Sequence, residues 1–222
     1  MTDRLQQHTN WVCVFFAAVL LVMTILAIPA GGRHMYEVIT GIVCSLFCLL
    51  PALFFRKKIM RLPLWFTFII EAAICMHGLG VLLLQYDLLV YYDTVTHTLS
   101  SFVITVCVFF TLLCVEHYGS SSGLRFTPAW TAMLVFVIMM AFGGYWEAFE
   151  YLVDNLTGTS MQYSPFDTVR DMLSNAMGSV LSSTFMYFYL KHHDNETVVR
   201  SFALCSQLER LLTWNDCRGN SD

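Results

Sequence analysis

The chain has 222 residues, of which 57% are hydrophobic and only 13% charged, with a formal net charge of −4 and a mean hydropathy of +0.61. That balance is far from a soluble globular domain and points to a membrane protein; with no basic stripe, it also excludes nucleic acid as a partner. A Gly-rich phosphate loop, a Gly-x-Ser-x-Gly elbow and a His-Glu-x-x-His motif are all absent from the sequence.

Six apolar stretches are predicted to cross a bilayer, which takes about 20 residues each. They run Trp11–Ala30, Val38–Phe55, Pro63–Leu84, Asp93–Val115, Pro128–Val153 and Asp167–Leu190. The second is the shortest and contains Pro51, so a kink is expected there. Short gaps leave no room for a second folded domain before Lys191. The fold class is therefore all-α: a polytopic transmembrane helix bundle over residues 1–190, followed by a tail over 191–222.

The basic residues orient the bundle. With six spans, Arg4, Arg56, Lys57, Lys58, Arg61, Arg125, Lys191, Arg200, Arg210 and Arg218 fall on one side, and only Arg33 and Arg170 on the other. Both termini are thus expected to be cytoplasmic. Arg4 before the first span and Ala27, Ala30 and Gly31 behind it also fit a signal sequence, although the apolar core is long for one.

Three pairs of ionisable residues stand near the ends of these spans: Asp93 with His97, Glu147 with Glu150, and Asp167 with Asp171. Each spacing is i,i+3 or i,i+4, which places both members on one helical face. The topology brings all three to the same, outer boundary, within roughly two helical turns, about 11 Å. Polar and small residues extend the same faces: Ser101 and Thr105 beyond His97, Asn175 and Gly178 beyond Asp171, and Gly143 before Glu147. A glycine there lets a neighbouring helix come close.

Ionisable groups within membrane segments are costly and mark functional sites. Five carboxylates and an imidazole in low dielectric need a compensating cation or shared protons. Oxygen ligands with one histidine suit a divalent metal such as Mg, Mn, Fe or Zn. Arg170 is the only basic residue nearby in sequence, and on a helix it points about 100° away from Asp171, which makes it a doubtful partner. A plainer role is also open to some of these residues. Asp93 and Asp167 begin their predicted helices, where Asp is a favoured N-cap, and Glu150 stands near water at a helix end. In the third span, Glu71 lies near the middle and His77 nearer the outer end; about 240° of helical rotation separates them, so they do not face one cluster together.

Of eight cysteines, Cys13, Cys44, Cys48, Cys75, Cys107 and Cys114 fall within spans and Cys205 and Cys217 in the tail, so no disulfide framework is expected. In the tail, Val198, Phe202, Cys205, Leu208, Leu211, Leu212 and Trp214 fit an amphipathic helix on the membrane surface or against a partner. The last eight or so residues read as disordered.

Tyr92-Asp93-x-x-x-His97, then Glu147-x-x-Glu150, then Gln162 followed by Asp167-Thr168-x-x-Asp171-Met172, resemble the sequence blocks of the YjdF-like family of small polytopic bacterial and archaeal membrane proteins. The likeness covers roughly residues 60–190 and supports the fold and the site positions, while supplying no reaction. Where this chain has Gln162-Tyr163-Ser164-Pro165-Phe166-Asp167, the family pattern is Gln-Gly-Asp-x-Trp-Asp, so an acidic position is lost. Tyr86 and Asp87 offer a second register for the first block, but only Asp93 is followed by the histidine.

The leading expectation is a divalent-metal-dependent membrane enzyme, hydrolase-like, acting on a lipid or other amphiphile in the inner membrane of a prokaryote. Asp93, His97, Glu147, Asp167 and Asp171 are then ligands, and Glu150 a general base or a sixth ligand. A cation or proton-coupled transporter is the second reading. It needs a path through the inner half of the spans, which is poor in ionisable residues apart from Glu71. A non-catalytic scaffold is the third.

Overall fold

The computed structural model describes residues 2–28, 35–89, 91–118, 126–158, 161–162, 164–193 and 195–202. These are built of helices: α1 (Thr2–Ala27), α2 (Met35–Phe47), α3 (Leu50–Arg56), α4 (Leu64–Leu82), α5 (Gln85–Leu88), α6 (Tyr92–Tyr118), α7 (Pro128–Thr157), α8 (Pro165–His192) and α9 (Asn195–Ser201). Five stretches are long and apolar enough to cross a membrane: Arg4–Ala27, Met35–Arg56, Leu64–Leu82, Tyr92–Tyr118 and Ala129–Leu156. The sixth stretch read from the sequence is the 28-residue α8, which is not among these five. Its Asp167, Arg170 and Asp171, and the serines that follow, dilute its apolar character.

The second crossing breaks where Pro51 predicts. Proline has no N–H to give and its ring clashes with the carbonyl one turn back. The chain therefore turns at Cys48 and Leu49 and restarts as α3, with Pro51 in the first turn, where no donor is missed. The Cys48 and Leu49 amides still bond back to Cys44 (3.0 Å) and Leu46 (3.1 Å), so little hydrogen bonding is lost.

Two compact units result, one of residues Met1–Tyr92 with Glu196–Asp222 and one of Asp93–Asn195. In the first, α1, α2 and α4 pack against one another around Leu20, Cys44, Cys48, Cys75 and Leu82. Gly78 makes this tight: a Cβ there would meet Leu20 Cδ2 at 2.8 Å and Cys44 Cβ at 3.2 Å. Within the described part of the tail, Val198, Val199 and Phe202 are buried in this unit, and the Phe202 ring lies 5.7 Å from that of Phe66. The rest of the tail's apolar stripe, from Cys205 to Trp214, lies outside the described residues, as do Arg33, Arg125, Arg210 and Arg218.

The second unit is α6, α7 and α8. Thr127 caps α7, its hydroxyl accepting from the Trp130 amide at 3.3 Å, with Pro128 as the first helical residue; Gly158, at φ +69°, closes it in the left-handed conformation that glycine takes without strain. Polarity is inverted relative to a soluble bundle. Ser101, Thr105, Ser174, Asn175, Ser179 and Ser182 are buried, whereas Val137, Phe142, Leu152, Leu173 and Val180 are exposed. Small and polar residues between helices with apolar ones outside is the arrangement that lipid favours.

Glycine again sets the spacing. A Cβ on Gly178 would lie 2.4 Å from the Thr98 carbonyl oxygen and 2.8 Å from Ser101 Cβ, both on α6; one on Gly143 would lie 2.6 Å from Asn175 Nδ2. Nothing stands within 4 Å of the corresponding position at Gly144. Gly178→Val is therefore expected to cost about 1–3 kcal/mol by overpacking against backbone that cannot move aside. Gly144→Ala, by contrast, gains up to about 1 kcal/mol of helix propensity. Thermal unfolding of the two variants in detergent separates them; equal melting temperatures would refute the close α6–α8 approach.

Candidate functional site

All six ionisable residues singled out from the sequence lie in the second unit, and all but the part-buried His97 are buried. Their helices explain the convergence. Asp93 and His97 share a face one turn apart on α6, and His97 Nε2 stands 3.3 Å from Asp93 Oδ1. The other ring nitrogen, Nδ1, is 3.3 Å from Asn175 Oδ1 on α8, and the same oxygen accepts from Ser101 Oγ at 2.6 Å. The imidazole is thus held at both nitrogens, one by a carboxylate and one by an amide oxygen. Gly143 leaves the room in which the Asn175 amide sits.

Asp167 and Arg170 correct two expectations. Asp167 is not the N-cap of α8: Ser164 takes that place, its hydroxyl accepting from the Asp167 amide at 3.2 Å, with Pro165 as the first helical residue. Freed from capping, the Asp167 carboxylate hydrogen-bonds to Arg170, three residues on along the same face. Nor is Arg170 a bystander. Its Nη2 also donates to Asp93 Oδ2 at 3.1 Å, and its Nε lies 3.8 Å from Asp171 Oδ1. The 100° step from Asp171 holds for the backbone, but a guanidinium on a flexible stem reaches back across it. Arg170 is one-third exposed, while the carboxylates it touches are buried.

Asp93, His97 and Asp171 each offer one ligand atom, and these three atoms all lie within 4.8 Å of one another. No other such group occurs among the described residues. On α7, Glu150 accepts from its neighbour Trp146 through Nε1 at 2.7 Å. Glu147 is different: it is 5% exposed and neither of its carboxylate oxygens has a hydrogen-bond partner. Gln162 and Thr168 stand near it, joined to each other at 2.6 Å. Its charge, like that of Asp171, acts on the same set of residues that surrounds His97.

The charges do not balance. Five buried carboxylates face one guanidinium and one imidazole, so with all five ionised even a protonated imidazole would leave three negative charges, to be met by a further cation or by shared protons. Buried charges are ordinarily paired or coordinate a metal. The set fits a divalent cation by donor type, oxygen with one nitrogen, and by the unused acceptor capacity of Glu147 and of Asp171 Oδ1.

Sequence reading missed Asp154. Its Oδ1 accepts from the Met161 amide and its Oδ2 from the Gln162 amide, each at 2.8 Å, which ties the α7–α8 connection to the end of α7. Its place after the apolar run of α7 is the only signal, and the pairing with amides seven and eight residues on is invisible to helical periodicity. His77 belongs to the first unit, where its Nδ1 and the Tyr86 hydroxyl are 2.9 Å apart.

Apolar helices outside and a buried acidic cluster inside define a multi-pass integral membrane protein. The chain belongs to the DUF2238 family, described as predicted membrane proteins, whose model matches residues 11–192. That agrees with the YjdF-like resemblance and covers both the apolar helices and every residue of the cluster. No curated protein and no solved structure matches the chain.

Removing Arg170 should expose the imbalance. Arg170→Gln leaves Asp93 and Asp167 buried with one cation fewer, and is expected to destabilise the protein by up to about 3 kcal/mol. Adding Asp167→Asn should restore part of that loss, because the second carboxylate no longer needs a partner. Chemical or thermal unfolding of Arg170→Gln, Asp167→Asn and the double variant measures the coupling; strictly additive losses would mean that the pair carries no interaction energy.

Proposed function

We propose that Asp93, His97 and Asp171, with Glu147 beside them, bind one divalent cation, and that the protein is a metal-dependent membrane hydrolase of lipid or amphiphilic substrates. The observation that carries this reading is the convergence of Asp93, His97 and Asp171 from two helices, with three ligand atoms within 4.8 Å of one another. A bound cation supplies a Lewis acid that polarises a phosphoryl or carbonyl oxygen.

The remaining residues have separate tasks. Asn175 accepts from the imidazole and so orients His97. Arg170 holds Asp93 in place through Nη2, while Asp167 holds Arg170. Asp167, a ligand in the sequence reading, therefore acts through the guanidinium. Glu150, kept in position by Trp146, is the group assigned to take a proton from water. An amphiphilic substrate suits a site carried on helices whose outer faces are apolar. In this reading α8 is a sixth crossing, both termini are cytoplasmic, and the cluster opens to the outer side of a prokaryotic plasma membrane.

Metal content tests the proposal directly. Detergent-purified protein is expected to carry about one divalent ion per chain by mass spectrometry, and His97→Ala and Asp171→Asn, if folded by circular dichroism, are expected to lose it. A metal-free wild type, even after reconstitution with Mg, Mn, Fe and Zn in turn, would overturn the reading.

A further inference from the structure

The connection between two of the membrane-crossing stretches, Met35–Arg56 and Leu64–Leu82, carries a local excess of positive charge. Arg56, Lys57, Lys58 and Arg61 stand close together in sequence, and no Asp or Glu lies between Glu37 and Glu71. The chain as a whole has a net charge of −4, so the sign is reversed here. Arg56, Lys57 and Lys58 are exposed and Arg61 is half-buried.

The backbone that presents them has a defined geometry. α3 ends in a Schellman motif: the Ile59 amide donates to the Phe54 carbonyl and the Lys58 amide to the Phe55 carbonyl, both at 3.0 Å. The Lys57 amide closes the last helical turn on the Leu53 carbonyl at 2.8 Å. This motif puts Lys58 at φ 55°, the left-handed conformation that glycine takes at such a position without a steric penalty. Among the described residues only Lys58 and Leu84 adopt a positive φ without being glycine.

Two ordinary reasons for basic residues fall short at this position. Cations at a helix C-terminus interact well with its dipole, and positive charge beside a span helps to orient it. Arg56, Lys57 and Arg61 meet both needs with a glycine at 58. A lysine held in a conformation that disfavours it implies a use for its side chain. Apolar surface adjoins the cations: Leu53 one turn before Lys57, Ile59 next to Lys58, and Leu64 at the start of α4 are all exposed.

We propose that Arg56, Lys57, Lys58 and Arg61 form a docking site for the phosphate headgroup of an anionic phospholipid, whose acyl chains lie against the apolar surface of α3. Basic clusters at the end of a membrane span attract such headgroups. The mixed surface decides the source of the phosphate: a free phosphate ion uses the cations alone, whereas a phospholipid also covers Leu53 and Ile59. All of the site lies in the first unit, and it holds whether or not the carboxylate–histidine cluster binds a metal.

Native mass spectrometry of the full-length protein in detergent tests this, with phosphatidylglycerol and phosphatidylcholine of matched acyl chains supplied at equal concentration. Phosphatidylglycerol is expected to be retained in preference. Lys57→Gln, Lys58→Gln and Arg61→Gln should each weaken its binding about fivefold, the equivalent of about 1 kcal/mol per basic residue at an anionic surface. Lys58→Gly is the sharpest variant. It relieves the left-handed lysine, so thermal unfolding should find it at least as stable as the wild type, yet it should lose phosphatidylglycerol as Lys58→Gln does. Arg200→Gln, at an exposed arginine already paired with Glu196, should leave retention unchanged. Equal retention of the two lipids would overturn the proposal, as would phosphatidylglycerol binding that Lys58→Gly leaves intact. Displacement of the lipid by inorganic phosphate, but not by chloride at the same ionic strength, would overturn it too, by assigning the cations to a free ion.

Discussion

Compensation of buried negative charge is the constraint on which the second unit turns. Asp93, Asp167 and Asp171 come from two helices, and each meets the Arg170 guanidinium. A cation–carboxylate contact in low dielectric is strong only because the separated charges would be so costly, so this contact specifies geometry more than it adds net stability. It fixes which faces of α6 and α8 are turned to each other. Gly178 and Gly143 then allow the backbones and the Asn175 amide to come near enough for the contact to form. The serine and threonine stripe below repeats the same logic with neutral groups: the hydroxyls of Thr98, Ser174 and Ser182 bond back to carbonyls of their own helices, and that of Ser101 donates to Asn175 on α8.

Much of this was legible in the sequence, and the failures have identifiable causes. Hydropathy located the crossings because a bilayer demands long apolar helices, and Pro51 located the break in the second because its missing donor has one consequence. Helical periodicity put the paired residues on shared faces because it depends on backbone geometry alone. Arg170 was misjudged for the complementary reason. Its Cα direction is set by the helix, but its charge sits at the end of a long stem, and periodicity says nothing about where that end goes. A capping role was open for Asp167 beside that of a ligand, because Asp at a helix start is often a cap; Ser164-Pro165, just before it, is the stronger start signal and takes the cap. The reading of α8 as a sixth span rests on its length, 28 residues, because the polar residues that build the cluster dilute its apolar content.

The two units solve the problem of a polar group in an apolar helix differently. In the second, the polar groups are many and several satisfy one another, as His97, Ser101 and Asn175 do. In the first, Glu71 is fully buried on α4 in a unit whose core is rich in cysteine, and thiols pack like small apolar side chains and are only weak donors. A cluster can share charge across several residues, and a mutation at one position is buffered by the others. An isolated carboxylate has no such reserve, so its persistence in a helix that crosses the membrane requires a reason local to it.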